Sequence, residues 1–135
     1  MRLALAAMLL VACDRTPHVT SCDDSLAGVW VTPSGARWMM LDYGATLEAY
    51  PIFDDSVGGG APRVIDLARG AKISGEIKRR YMRGAEECEG RAPIRIAKCK
   101  DDKLQVVLGD VLPPAEFTPC TWGQPSATRA EWWKR

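Results

Sequence analysis

Residues 26–42 read LAGVWVTPSGARWMMLD and carry the clearest structural signal in the chain. Their apolar residues alternate with a period of two, which is the period of a β-strand and not of a helix. Between the two apolar runs, residues 32–35 place Pro and Gly where a type I turn prefers them. The stretch is therefore predicted to form a β-hairpin, with Trp38, Met40 and Asp42 on one face of its second strand.

Similar alternating runs separated by turn residues continue along the chain. The further predicted strands and hairpins cover residues 47–53, 64–81, 94–108 and 116–122. Residues 126–135 lack Gly and Pro and are predicted to form a short helix capped by Ser126. This organisation indicates an all-β fold, a small antiparallel meander of about seven or eight strands that closes or partly closes into a barrel. An open sheet or a sandwich is the alternative.

The composition is that of one globular domain. The chain has 135 residues, of which 47% are hydrophobic and 26% charged, and these are ordinary fractions for a folded protein. Its 18 Lys and Arg nearly balance its 17 Asp and Glu, so no strong field exists to attract a nucleic acid. No nucleic-acid partner is expected, and composition alone names no activity.

The N-terminus has the pattern of an export signal. Met1-Arg2 is a short positive region, and residues 3–11 form an apolar run that is too short to span a bilayer. The run ends in Leu10-Val11-Ala12-Cys13, which resembles the lipobox of bacterial lipoproteins. The resemblance implies that Cys13 becomes the first mature residue and receives a diacylglyceryl group. An ordinary secretory signal is the alternative.

The lipobox resemblance implies both a domain organisation and a location. Residues 1–12 are predicted to be a signal peptide, residues 13–25 a lipidated tether and residues 26–135 a single β-rich domain. Two or more acyl chains are enough for stable anchoring. The protein is therefore expected in the cell membrane or the outer membrane, anchored by lipid and facing the periplasm or the cell exterior.

The four cysteines other than Cys13 are predicted to form two disulfides, because an even number of cysteines in a small exported domain is typical of structural bridges. Three pairings exist for Cys22, Cys88, Cys99 and Cys120. In the predicted meander, Cys88 lies in a loop over 84–91 at the end of the sheet opposite Cys99. The favoured pairing is therefore 99–120, which leaves Cys22 to reach Cys88.

A second resemblance concerns the start of the first strand. Gly28-x-Trp30 is similar to the entry motif of lipocalins and other calycins. In that family the Trp closes one end of an up-and-down barrel, and an Arg from near the last strand lies across it. The resemblance covers a handful of residues and implies a small barrel. The predicted strand over 116–122 holds no Arg, and Arg129 is the nearest.

Residue types that carry catalysis or bind metals are sparse. The chain has one histidine, His18, which lies in the predicted tether, so neither a Ser/His triad nor a zinc site is expected. Asp54-Asp55-Ser56 offers oxygen ligands for calcium but lacks the alternation of an EF-hand loop. We expect no enzyme activity, no metal and no cofactor.

Three residues are candidates for ligand binding. Trp30 and Trp38 are predicted near the mouth of the barrel, and Arg79 is predicted to face inward on its strand, where it would meet the anionic group of a ligand. The alternative is that Arg79 pairs with a carboxylate such as Glu48 or lies at the barrel rim. At the C-terminus, Trp132 and its neighbours suit either a membrane interface or packing against the barrel.

Two functions follow from these observations. The first is a non-enzymatic, lipid-anchored envelope lipoprotein that acts by surface contacts with another envelope component. The alternative is a small lipocalin-like carrier of an apolar or anionic ligand. Both use the membrane as a partner through Cys13.

Overall fold

Strands account for all the regular secondary structure of the described residues. The computed structural model describes residues 18–52, 63–111, 119–123 and 127–135, and these contain no helix. The strands in these ranges are β1 Gly28–Val31, β2 Arg37–Asp42, β3 Thr46–Ile52, β4 Arg63–Arg69, β5 Ile73–Arg83, β6 Glu86–Lys100, β7 Lys103–Leu108, β8 Thr121–Gly123 and β9 Arg129–Lys134. The described part of the chain therefore holds no helix long and apolar enough to cross a membrane.

The strands close into an antiparallel barrel. Strands β1 to β7 pair in sequence order, and β9 lies between β7 and β1, which makes a closed barrel of eight strands. Strand β8 is an additional strand that runs parallel to β6. Closure removes the exposed edges that an open sheet would leave. The prediction of an all-β closed meander is confirmed, and the open sheet and the sandwich are excluded.

The prediction of a C-terminal helix is wrong. Residues Arg129–Lys134 form β9, which pairs with β7 from Arg129↔Leu108 to Lys134↔Lys103. The absence of Gly and Pro removes helix breakers, but it does not decide between helix and strand. The free edges of β7 and β1 decide it, because a strand here pairs with both and buries Trp133 completely.

The eighth predicted strand is shorter than expected. Strand β8 covers Thr121–Gly123, whereas the prediction ran over 116–122. Residues 116–118 lie outside the described residues.

The barrel interior is filled by side chains from alternate positions of the strands. Trp38 and Met40 of β2 face inward as predicted, and Asp42 follows them at the end of the strand. Trp38 stacks on Trp133 of β9 with 5.9 Å between ring centroids. The remaining inward residues are mainly Leu, Ile and Val, as in Leu47, Ile65, Leu67, Ile77, Ile94, Ile96, Leu104 and Val106.

The two disulfides exist, but the favoured pairing is wrong. Cys22 is bonded to Cys99 and Cys88 to Cys120, with Cα–Cα distances of 5.0 and 4.6 Å. Cys88 does not lie in a loop, because β6 already begins at Glu86. The parallel pairing of β8 with β6 then brings Cys120 beside Cys88.

The segment before β1 packs against the barrel. Val19 is fully buried, and its backbone exchanges two hydrogen bonds with Asp102 in the turn between β6 and β7. His18 also contacts the Asp102 carboxylate. Together with the Cys22–Cys99 bond, these contacts attach residues 18–25 of the predicted tether to one end of the barrel. Residues 1–17, with the predicted signal peptide and Cys13, lie outside the described residues.

Candidate functional site

The two ends of the barrel differ in chemistry. We call the end that holds the turns 43–45, 70–72 and 101–102 the closed end. The other end, where β4 begins at Arg63 and β7 ends at Leu108, is the open end. Because strands alternate in direction in an antiparallel barrel, these turns all lie at the same end.

Trp30 plugs the closed end. It is 0% exposed, and its indole Nε1 donates a hydrogen bond to the Leu26 carbonyl oxygen at 2.8 Å. The Arg135 guanidinium lies over the Trp30 ring, 4.8 Å from the centroid, and donates to the Ala27 carbonyl oxygen at 2.7 Å. Gly28 has a φ of +131°, which L side chains rarely adopt. Trp30 is therefore part of the plug and does not line the open end.

An ion pair lies beside this plug. The Asp42 side chain is 4% exposed and accepts two hydrogen bonds from the Arg69 guanidinium, at 2.7 and 2.8 Å. It also accepts from the backbone N–H groups of Leu26 and Gly44. The Arg69 hydrogen bonds, and then the backbone ones, lower the pKa of Asp42 to about 2. Asp42 thereby joins the segment before β1 to the β2–β3 turn.

Two arginines face each other at the open end. Arg63 of β4 and Arg79 of β5 are direct cross-strand partners, and we call them the arginine pair. The Arg63 guanidinium lies 5.5 Å from the centroid of the Trp38 ring, and that of Arg79 lies 5.0 Å from the Tyr81 ring. Both side chains are half-buried. The two cations are held by aromatic faces at the rim of the barrel.

Neither member of the arginine pair has a carboxylate partner in the part of the chain that the structure describes. Three other half-buried arginines, Arg69, Arg83 and Arg91, each form an ion pair. The Arg79 Nε atom is buried and has no hydrogen-bond partner within the described ranges. Burial, and then the charge of Arg79, lower the pKa of Arg63.

The expected partner of Arg79 is engaged elsewhere. Glu48 lies between the buried Leu47 and Ala49 and accepts a hydrogen bond from the Tyr50 hydroxyl on the outside of β3. The pairing of Arg79 with Glu48 is therefore wrong. Arg79 does lie at the rim, which was the other part of that alternative.

A cavity of about 250 Å³ opens beside the arginine pair. Ile77 and Leu108 supply apolar surface to it. Arg129 also lines it, but this cation is already paired with Asp110 and Glu131. The cavity therefore combines the arginine pair, for which no carboxylate partner lies among the described residues, with the Arg129–Asp110 ion pair and some apolar surface.

The structure brings together part of the predicted ligand site and adds a residue to it. Trp38 and Arg79 lie at or just below the open end, and Trp30 does not. Arg63 was missed. The hairpin register carries the signal for it, because a turn at 70–72 places residue 63 opposite residue 79.

One cluster of possible metal ligands is found in the described ranges. Glu86, Cys88 and Cys120 lie close enough to hold a metal, but the two cysteines are bonded to each other. His18 lies on the surface against Asp102. The calcium candidate at residues 54–56 lies outside the described residues.

No protein-family model, no curated protein and no solved structure matches this chain.

Proposed function

We propose that this protein is a lipid-anchored, non-enzymatic binding protein of the bacterial cell envelope whose open end holds a small organic anion. The observation that carries the proposal is the arginine pair, two half-buried cations in direct cross-strand register for which the described residues supply no carboxylate partner. The lipocalin-like resemblance stays part of the proposal. The contact of Arg135, at the end of the last strand, with Trp30 supports it.

The arginine pair destabilises the folded protein unless an anion binds between the two side chains. Like charges directly opposite each other on neighbouring strands destabilise a sheet, and a buried polar group without a partner carries a desolvation cost. A carboxylate placed between Arg63 and Arg79 would offset both costs, since the arginine fork matches its geometry. The Arg79 Nε atom has no hydrogen-bond partner among the described residues.

The lining and the volume of the cavity indicate the chemistry and the size of the rest of the ligand. Ile77 and Leu108 favour an apolar group beside the carboxylate. A volume of about 250 Å³ lies below the usual range for drug-sized ligands, which starts at about 300 Å³. We therefore assign a short carboxylic acid with an apolar body.

Replacing Arg79 by glutamine is expected to weaken hexanoate binding at least about tenfold, because a charge-assisted hydrogen bond is lost. Arg63→Gln should act in the same direction. Isothermal titration calorimetry of the full-length protein in detergent measures both. Arg80→Gln is the matched control, since it removes one positive charge from the exposed side of the same strand. It should change the affinity less than about twofold.

Two results would count against the ligand site. Hexanol binding as tightly as hexanoate would show that the arginine pair recognises no charge. An Arg79→Gln protein of lower stability but unchanged hexanoate affinity would show that Arg79 stabilises the barrel, through its contact with Tyr81, and does not bind the ligand.

The anchor has its own test. Cys13→Ser is expected to abolish fatty-acid incorporation and to change the processing of the precursor, because the acyl chains of a lipoprotein attach to that sulfur. Mass spectrometry and fractionation of the producing cells measure this, and Thr16→Ser is the control that should keep the lipid. Normal processing and membrane retention of Cys13→Ser would contradict the lipobox.

Surface contact with another envelope component stays a prediction. Val29, Met39 and Tyr50 are direct neighbours across β1, β2 and β3, and each is 37–40% exposed. This apolar row is compatible with such a contact, but nothing in the structure indicates what covers it.

A further inference from the structure

A groove of about 800 Å³ lies on the outside of the barrel. It is lined by Trp132, by the β1–β2 turn and by three lysines, which are Lys100, Lys103 and Lys134. We call it the basic groove. The Lys100 ammonium lies 5.8 Å from the centroid of the Trp132 ring. None of the three lysines forms an ion pair within the described residues. Asp101 is the acidic residue among those that line the groove.

The groove lies along the junction of β1 and β9, where two neighbouring strands of the barrel share the fewest residue pairs. Strands β1 and β9 share one residue pair, Val31↔Lys134. Every other neighbouring pair of strands in the closed barrel shares at least four. This short junction leaves Val31 and Trp132 on the outer surface beside the lysines.

The N-terminal segment leaves the barrel next to this groove. His18 and Val19 are held by Asp102, one residue from Lys103 in the chain and two from Lys100. Cys13 precedes His18 by five residues, which span at most about 18 Å when fully extended. A lipid on Cys13 would therefore keep the bilayer surface within about 18 Å of this turn.

We propose that the basic groove docks the barrel on a bilayer surface rich in anionic lipid headgroups. The inference rests on the proposed anchor at Cys13. Three unpaired lysines complement anionic headgroups, and tryptophan favours the membrane interface. Acyl chains combined with a basic patch form the kind of two-part attachment that holds a protein firmly to a membrane.

The test uses the lipidated full-length protein reconstituted into vesicles that contain brominated phosphatidylcholine. Fluorescence quenching of Trp132, taken as the difference between the wild-type protein and Trp132→Phe, is expected when the vesicles also contain phosphatidylglycerol. In vesicles of phosphatidylcholine alone the quenching should be absent. The triple variant Lys100→Gln, Lys103→Gln, Lys134→Gln should lose it.

The matched control removes the same charge elsewhere. Lys72→Gln, Arg80→Gln and Arg95→Gln replace three exposed cations outside the groove, and together they should keep the quenching. Equal quenching in neutral and anionic vesicles, or its persistence in the triple lysine variant, would overturn the docking proposal. Failure of the anchor is distinguishable, because the protein would then not remain with the vesicles after the detergent is removed.

Discussion

Trp30→Ala is expected to lower the free energy of unfolding by about 4 kcal/mol, since replacing a fully buried tryptophan by alanine leaves a large cavity. Trp30 is 0% exposed and also donates a hydrogen bond to Leu26. Its loss would leave the Leu26 carbonyl oxygen and the Arg135 guanidinium without the indole they contact. Urea unfolding at neutral pH, with the disulfides intact, measures the change.

Two controls separate the effect of losing Trp30 at the closed end from the effect of losing any tryptophan. Trp132→Ala changes the same residue type at a half-exposed position and should cost less than about 2 kcal/mol. Arg135→Gln removes the cation over the ring and should cost about 1 kcal/mol. A Trp30→Ala protein no less stable than Trp132→Ala would show that the closed end does not depend on this plug.

Asp42→Asn is expected to lower the free energy of unfolding by about 3 kcal/mol, because breaking a buried ion pair leaves an uncompensated cation. The Asp42 and Arg69 side chains are 4% and 18% exposed. Urea unfolding at pH 7 measures the loss. Asp66→Asn is the control, because its pair with Lys78 is solvent-exposed and should contribute less than about 1 kcal/mol.

The same variant should change the acid stability. The pKa of Asp42 is about 2 in the folded protein, below its ordinary value of 3.8. A carboxyl whose pKa is lowered on folding stabilises the protein above its unfolded pKa. It loses that contribution, here about 2 kcal/mol, as the pH falls from about 4 to about 2.

In Asp42→Asn this part of the pH dependence should disappear. Asp24 and Asp102 should leave a smaller slope, because backbone hydrogen bonds from Thr20 and Val19 lower the pKa of their carboxyl groups as well. An unchanged acid-unfolding curve in Asp42→Asn would show that the Arg69 pair does not stabilise the folded state.

Local patterns were sufficient to predict most hairpins. The hairpin of residues 26–42 is confirmed, and its register places Trp30 opposite Trp38. The β4–β5 and β6–β7 hairpins also lie around the predicted turns. Alternation and turn residues are local properties, so the sequence reports them directly.

One error lies in a local hairpin, and another lies where a contact joins distant parts of the chain. The predicted loop over 84–91 belongs largely to β6, which begins at Glu86 and pairs with β5 along its length. That extension moved Cys88 into the strand and made the disulfide argument wrong. The prediction of a helix at 129–134 failed for a different reason, because the partners of this segment, β7 and β1, are remote in sequence.

The binding site also combines a feature that local sequence patterns predicted with features that depend on tertiary contacts. Arg79 was a candidate because its position in a period-two pattern indicates an inward direction. The pattern did not show that Arg79 faces Arg63 and not Glu48, because the register of β4 and the outward position of Glu48 depend on strand pairing.

The sequence by itself determined that this chain is a β-meander, where its turns lie, and that Cys22, Cys88, Cys99 and Cys120 form bridges. Only the tertiary structure decided how the barrel closes, which cysteines pair, and that Arg63 and Arg79 are cross-strand partners at the open end. Side-chain alternation and turn chemistry depend on neighbouring residues. Closure, disulfide pairing and charge compensation depend on residues that meet only after every strand has found its register.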